Sequence, residues 1–232
     1  MLKVTFLYHS AFLVELSHCS LLFDWYGGAI PAFDRHKPLY VFASHHHGDH
    51  YSPEIFSLLG MDNVWYVLAN CIRLSAKRKA ALGIEETHVL RVSAGRTLRI
   101  TTFRSTDAGV AFLVETEGKT LFHAGDLQWW HWEEEPKHWN DEMEREFKKE
   151  GAKLMGRKID VAFLVLDPRQ ESYFWWGFDW WMRTMQVQLA FPMHSWESFS
   201  LTQKLKALPC SEPYRDRVME IFYNGQSFLL EE

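Results

Sequence analysis

Leu39-Tyr40-Val41-Phe42-Ala43-Ser44-His45-His46-His47-Gly48-Asp49-His50 is the stretch that decides the fold of this chain. Leu39 to Ala43 is a short continuous apolar run, the pattern of a strand buried on both faces. Four histidines and an aspartate follow within six residues, His45 to His50. In an extended or turning backbone His45 and His47 point one way while His46 points elsewhere, and Asp49 and His50 face a second position a few Å on. Imidazole and carboxylate groups packed this densely suit a borderline metal ion such as zinc, with manganese or iron as alternatives that availability decides. A histidine tract of the purification-tag kind carries neither the preceding buried strand nor the Asp-His that follows.

Short apolar runs bounded by turn residues continue in both directions. Lys3–Tyr8, Ala11–Leu16 and Ser20–Asp24 precede the histidines as strands, and Pro53 opens a short helix after them. Val64–Leu68 is a further strand, and Asn70 caps a helix running to about Leu82, ended by Gly83. A second strand set covers His88–Val92, Thr97–Phe103, Val110–Glu115 and Thr120–His123, with Glu117-Gly118 turning the last hairpin. A charged helix spans Pro136–Met155, Ile159–Leu166 is a wholly apolar strand, and Phe178–Gln188 reads as a helix. Leu189–Met193, a Ser198–Ala207 helix and Ser227–Leu230 complete the pattern. Two strand sets, each followed by helices, predict an α/β fold with two sheets face to face and helices outside.

The bulk properties exclude several classes. With no low-complexity linker and no repeat, residues 1–232 read as one domain. A hydrophobic fraction of 47% against 24% charged supplies a substantial core. No charged segment leads into an apolar run with a small-residue cleavage site, so a signal peptide is not expected, and no apolar run is long enough to predict a membrane span. Cys19, Cys71 and Cys210 are dispersed and odd in number, which reads as reduced thiols in a cytoplasmic protein. A formal charge of -5 gives no general attraction to nucleic acid. The basic stretches Lys77–Lys79 and Arg91, Arg96 and Arg99 read as solvated faces. Eleven tryptophans are unusual for this length and fall in groups, Trp129, Trp130 and Trp132 in one and Trp175, Trp176, Trp180 and Trp181 in another.

His-x-His-x-Asp-His after a buried strand resembles the signature of the metallo-β-lactamase superfamily, and the resemblance runs on. Asp24, closing Leu21-Leu22-Phe23, matches the early strand-end aspartate that supports the metal site from behind. His123-Ala124-Gly125-Asp126 is similar to the later Gly-Asp element whose aspartate bridges two metals, and Phe191-Pro192-Met193-His194 to the final histidine ligand. Phe6-Leu7-Tyr8-His9-Ser10-Ala11-Phe12-Leu13-Val14-Glu15 resembles the opening of the small lactonase-like branch, which includes ascorbate-6-phosphate lactonase. The resemblance spans Tyr8 to His194 and implies a four-layer αββα sandwich with one or two metal ions at one edge between the sheets.

One place departs from that pattern. Counting back from Asp126, the family's third histidine for the first site falls at or near Arg104, in Phe103-Arg104-Ser105-Thr106-Asp107, where no histidine stands. Asp107 then replaces that histidine as a ligand beside His45 and His47, or the first site is incomplete. Asp49, His50, Asp126 and His194 make a full second site, where metal is expected to bind more firmly.

Such a centre lowers the pKa of a bound water from about 15.7 toward about 7 and polarises a carbonyl or phosphoryl oxygen. The expected function is metal-dependent hydrolysis of a small-molecule ester, lactone or phosphoester. Asp49 is a candidate for catalysis as well as ligation. His9 is a candidate for substrate contact or proton shuttling, against a plain turn histidine. Asp167, after Ile159–Leu166, is a substrate-facing or supporting candidate, against a plain loop aspartate, and Arg169 could pair with a substrate anion. Trp129, Trp130, Trp132 and Trp196 follow candidate ligands closely enough to line an apolar mouth, against ordinary core packing. Ser10, Ser44 and Ser195 neighbour histidines, but no third orienting group completes a serine triad. Two rival functions stay open, a non-catalytic metal-binding or sensing module and a nucleic-acid phosphodiesterase; net charge and length weigh against the latter. The partner expected is a small-molecule substrate, with neither nucleic acid nor membrane, and the oligomeric state is not set by the sequence.

Overall fold

Phe12 and Phe163 meet with ring centroids 4.4 Å apart, Phe42 and Phe112 at 5.3 Å, and Phe12 and Phe191 at 6.0 Å. In each pair the two rings come from different sheets. Each sheet offers an apolar face that it cannot cover alone, and these aromatic contacts close the two faces on each other. The computed structural model describes residues 2–56, 63–72, 79–82, 86–92 and 95–230, with the side chains of 79–82 left aside.

The strands are β1 (Leu2–Tyr8), β2 (Ala11–Glu15), β3 (Ser20–Phe23), β4 (Leu39–Ala43), β5 (Val64–Ala69), β6 (Lys79–Leu82), β7 (Thr87–Arg91), β8 (Thr97–Arg104), β9 (Val110–Thr116), β10 (Lys119–His123), β11 (Lys158–Val165), β12 (Gln186–Met193) and β13 (Ser227–Leu230). The helices are α1 (Lys137–Gly151), α2 (Trp176–Thr184) and α3 (Ser200–Ala207). Among the described residues one sheet runs β13-β1-β2-β3-β4-β5-β6 and the other β12-β11-β10-β9-β8-β7. Both are mixed: β3, β4, β5 and β6 are parallel, as are β10, β11 and β12, while the hairpin partners are antiparallel. Glu117 and Gly118 both take positive φ, the geometry of a two-residue hairpin whose twist matches its strands.

Helices α1 and α2 cover the outer face of the second sheet, where Trp181 lies 5.2 Å from Phe122 and 5.2 Å from Phe147. The outer face of the first sheet buries Leu13, Leu22, Val41 and Leu68, closed over by Trp25, Ile55 of the 3-10 turn Pro53–Phe56, and Ile72. This is the α/β sandwich that the two strand sets predict.

Three boundaries differ. The middle of the helix expected from Asn70 to Leu82, residues 73–78, lies outside the described residues, but its end, Lys79–Leu82, is strand β6 paired with β5. Ala80, Ala81 and Leu82 are good helix formers, and a free edge on β5 overrides that weak local preference. The helix expected at Phe178–Gln188 stops at Thr184, and Gln186–Gln188 already belong to β12. Gln186 and Gln188 are exposed while Val187 is buried, the alternation of an edge strand. The charged helix read to Met155 ends at Gly151 and passes into a 3-10 turn at Ala152–Leu154.

Candidate metal centre

Parallel strands carry their C-terminal ends to one edge, where the connecting loops meet and sites form. Asp24 follows β3, His45 to His50 follow β4, Asp107 follows β8, Asp126 follows β10, Asp167 follows β11 and His194 follows β12. His9 joins them from the turn between β1 and β2.

Two groups of side chains offer ligand atoms lying within 4.8 Å of one another. One comprises His45, His47, Asp107 and Asp126, the other His9, Asp49, His50 and His194. Asp126 stands between them. Its Oδ2 is 3.6 Å from His45 Nε2, and its Oδ1 is 3.2 Å from His50 Nε2 and 3.5 Å from His194 Nε2. His47 Nδ1 lies 3.2 Å from Asp107 Oδ2, and His9 Nε2 lies 3.4 Å from Asp49 Oδ2.

Three of the buried imidazoles are held from behind. His50 donates Nδ1–H to Asp24 Oδ2 at 2.7 Å, and His194 donates Nδ1–H to Asp167 Oδ2 at 2.8 Å. The Ser44 hydroxyl donates to Asp24 at 2.6 Å and so accepts from His45 Nδ1 at 3.0 Å. With these three Nδ1 atoms occupied, the three Nε2 atoms face the cluster, the arrangement that orients metal-binding histidines. Ser44 is fully buried and its hydroxyl is committed to Asp24, so it is not a nucleophile.

The electrostatics follow from burial among opposite charges. Burial pushes His45 down to about 4, with His50 adding to the effect, so this ring is neutral near pH 7. Burial opposes charge on His50 too, but Asp126 and Asp24 override it and hold its pKa well above the ordinary histidine value. Asp126 is held low despite burial by His50, His194 and His45. Asp49 is held low chiefly by His9.

Left-handed backbone is concentrated here. His9, Asp24 and His194 have φ of 49°, 43° and 64°. Conformations of this kind cost about 1–3 kcal/mol each and persist where the surroundings over-determine them. The His194 N–H donates to the His9 carbonyl at 3.0 Å, tying two of the three together. Two glycines allow the loops to close. A Cβ on Gly109 (φ 68°) would lie 2.0 Å from the Ser44 carbonyl oxygen, and one on Gly125 (φ 52°) would lie 2.8 Å from Ser44 Cβ.

Beside the cluster opens a cavity of about 290 Å³ walled by Trp130, Trp132, Trp139 and Met143, with Arg169 and Asp49 at its polar side. Of the four tryptophans the sequence placed near the mouth, Trp130 and Trp132 line it. Trp129 instead packs on Phe147 and Trp176, and Trp196 stacks 4.5 Å from His9 with nearly half its surface exposed. Trp139 and Met143 of α1 enter without any motif to announce them.

Of the candidates read from sequence, His9, His45, His47, Asp49, His50, Asp107, Asp126 and His194 are brought together. Asp167 does not face substrate space. It is wholly buried, and its oxygens bond His194 and Arg169. Asp107 reaches the first group, whereas Arg104 does not: its backbone N–H bonds Glu150, and its side chain borders a separate cavity along α1. His9 is placed among potential ligands, a role its sequence position alone did not suggest. His123 is not among them. It stacks on Phe23 at 5.0 Å, donates Nε2–H to the Ser10 carbonyl and accepts the Gly125 N–H at Nδ1.

A two-sheet sandwich with a histidine–aspartate cluster at one strand edge defines a known class. The chain belongs to the beta-lactamase superfamily domain family, whose model matches residues 3–139. It is 31% identical over 134 residues to a UPF0173 metal-dependent hydrolase of Korarchaeum cryptofilum, covering 54% of this chain and 60% of that protein. In structure it resembles a metallo hydrolase from Ignicoccus hospitalis (TM-score 0.62, 15% identity, 99% of each chain covered). It also resembles CmlA, a diiron β-hydroxylase from Streptomyces venezuelae (TM-score 0.58, 10% identity, 99% of this chain and 54% of that one).

Proposed function

We propose that this chain is a metal-dependent hydrolase whose two ligand groups, which meet at Asp126, would each hold a divalent ion. One observation carries the reading. His9 Nε2, His45 Nε2, His50 Nε2, His194 Nε2 and Asp126 Oδ1 are all buried without a hydrogen-bond partner. An unmet buried polar atom costs about 1–3 kcal/mol, and these five are shared between the two ligand groups that meet at Asp126, where a cation in each group would satisfy them. The donor set, imidazole with carboxylate, suits zinc, and manganese or iron can take the same ligands. The diiron β-hydroxylase of similar fold keeps iron among the candidates.

The ligands assigned to one ion are His45, His47, Asp107 and Asp126, and to the other Asp49, His50, His194 and the shared Asp126, with His9 alongside. The groups differ in exposure. The His47 and Asp107 side chains are 45% and 43% exposed, while His50 and His194 are buried. The buried set therefore holds its ion more firmly. Divalent ions held by these residues would supply a hydroxide nucleophile at neutral pH and polarise the oxygen of the bond under attack.

The protein's own groups do the rest. Asp24, Ser44 and Asp167 fix the imidazoles of His50, His45 and His194 in the orientation that ligation needs. Asp49 lines the cavity with its Oδ2 between His9 and His194, placed to take the proton of the attacking water and return it to the leaving oxygen. The tryptophan wall excludes water from the body of a small ester, lactone or phosphoester. The name of the Korarchaeum cryptofilum relative supports the reaction class.

The test is to strip the protein with chelator, reload it with zinc, manganese or iron, and assay lactones, phosphoesters and thioesters. Turnover of one class should appear only on reloading and fall about 100–10,000-fold in Asp49→Asn, the range of a lost acid–base group. Zero turnover on every substrate with metal firmly held would favour a sensing module instead.

A further inference from the structure

Arg169 enters the cavity from the turn after β11, and its guanidinium is already held on two sides. Its Nε and Nη2 donate to Asp167 Oδ2 at 3.0 and 2.6 Å, one fork of the group. Its central carbon lies 4.9 Å from the Trp196 ring and 5.9 Å from that of Trp132. Nη1 makes no hydrogen bond to any described residue, and half of the side chain is exposed. The end-on fork, Nη1 with the second Nη2 hydrogen, is therefore free, in an orientation whose entropy cost is already met.

Arg169 is also the only lysine or arginine among the described residues lining this cavity. Were its purpose only to steady Asp167, a position over the Trp196 ring and near that of Trp132 at a cavity wall would be superfluous. Asp167 is wholly buried and already accepts the His194 Nδ1–H and the Arg169 backbone N–H. Arg169 therefore brings a guanidinium whose end-on fork is unused to the cavity wall beside the candidate ligands. Such a fork matches a carboxylate or phosphate rather than a neutral molecule.

We propose that Arg169 determines specificity by binding an oxyanion, a carboxylate or a phosphate, that the substrate carries apart from the bond being cleaved. The apolar body of that substrate rests on Trp130, Trp132 and Trp139. The inference builds on the hydrolase reading for its substrate, but its test reads binding, so absence of turnover leaves it intact.

The metal-loaded protein is titrated with 3-phenylpropionate, its neutral amide 3-phenylpropionamide, and phenyl phosphate, followed by quenching of tryptophan fluorescence. Wild type should bind at least one of the two anions about tenfold or more tightly than the amide, the scale of one charge-assisted paired contact. Arg169→Gln should bring that ratio close to one, and Arg169→Lys, which keeps the charge without the fork, should restore it only in part. The ratio of phenyl phosphate to phenylpropionate affinity in wild type tells which oxyanion the fork prefers. Equal affinity of wild type for anions and amide would overturn the proposal, as would an undiminished ratio in Arg169→Gln at full metal content. Loss of metal from both variants would assign Arg169 to holding Asp167 alone and would overturn it equally.

Discussion

His50 and Asp24 share a hydrogen bond of 2.7 Å in a position fully closed to solvent, and Asp24 also accepts both the N–H and the hydroxyl of Ser44. One carboxylate thus sets His50 directly and His45 through Ser44, one imidazole from each of the two ligand groups. Such supporting partners are typically worth 10–100-fold in metal affinity. Asp24→Asn should weaken zinc binding by about that factor, measured by competition with a chelating dye. Unchanged affinity would remove Asp24 from the account.

Asp107 is the side chain that completes the open group. Asp107→Ala should cost the exchangeable ion and spare the buried one. Mass spectrometry after desalting in dilute chelator should find close to one ion per chain in both the variant and wild type, while zinc titration without chelator shows two sites in wild type and one in the variant. Asp107→His should restore the second site. Two ions retained by Asp107→Ala would show that Asp107 is not a ligand.

Much of this centre was legible because its ligands sit next to strand ends that composition makes plain. Leu39–Ala43 is wholly apolar and wholly buried, so the histidines after it had one edge of the sheet to occupy. Asp126 and His194 follow strands whose last residues, Leu121–His123 and Ala190–Met193, are likewise buried. The Arg104 region was harder to read, since counting positions cannot say how a loop turns. β8 runs through Arg104, and a turn whose Ser105 hydroxyl accepts the Asp107 N–H then swings Asp107 into the site. His9 gave only a faint signal, a histidine in a tight turn, because its position depends on a left-handed φ and a bond to His194, nearly the whole chain away. Trp139 and Met143 lie on a charged surface helix, and only tertiary packing shows which of its turns borders the cavity.

The loops around Ser44 close only on glycine. Gly109→Ala and Gly125→Ala each add a left-handed penalty and a collision with Ser44, and each should destabilise the fold by about 3 kcal/mol or more, with weakened metal binding. Gly118→Ala, at φ 75° with nothing within 4 Å of the added carbon, should cost only about 1–2 kcal/mol. Denaturant unfolding of the three variants checks the ranking, and equal losses would contradict it.

His50 carries a proton in the metal-free protein because Asp126 and Asp24 outweigh its burial. A raised pKa means that this pairing stabilises the metal-free fold fully below the ordinary histidine range and is lost as pH climbs through the raised value. Metal needs the neutral ring, so binding must expel the proton. Calorimetry of zinc binding in buffers of different ionisation enthalpy should show net proton release at pH 7, and affinity should rise with pH. Binding without proton release would show that the ion does not use His50.

The centre is most directly tested by anomalous diffraction from crystals of zinc-saturated protein, recorded on both sides of the zinc absorption edge. Two peaks about 3.5–4 Å apart, flanking the Asp126 carboxylate, are predicted, the spacing of two-ion hydrolytic sites. The peak against His50 and His194 should be the stronger and should outlast the peak against His47 and Asp107 when the crystals are soaked in chelator. A single peak on one side of Asp126 at saturation, or none within reach of it, would contradict the account.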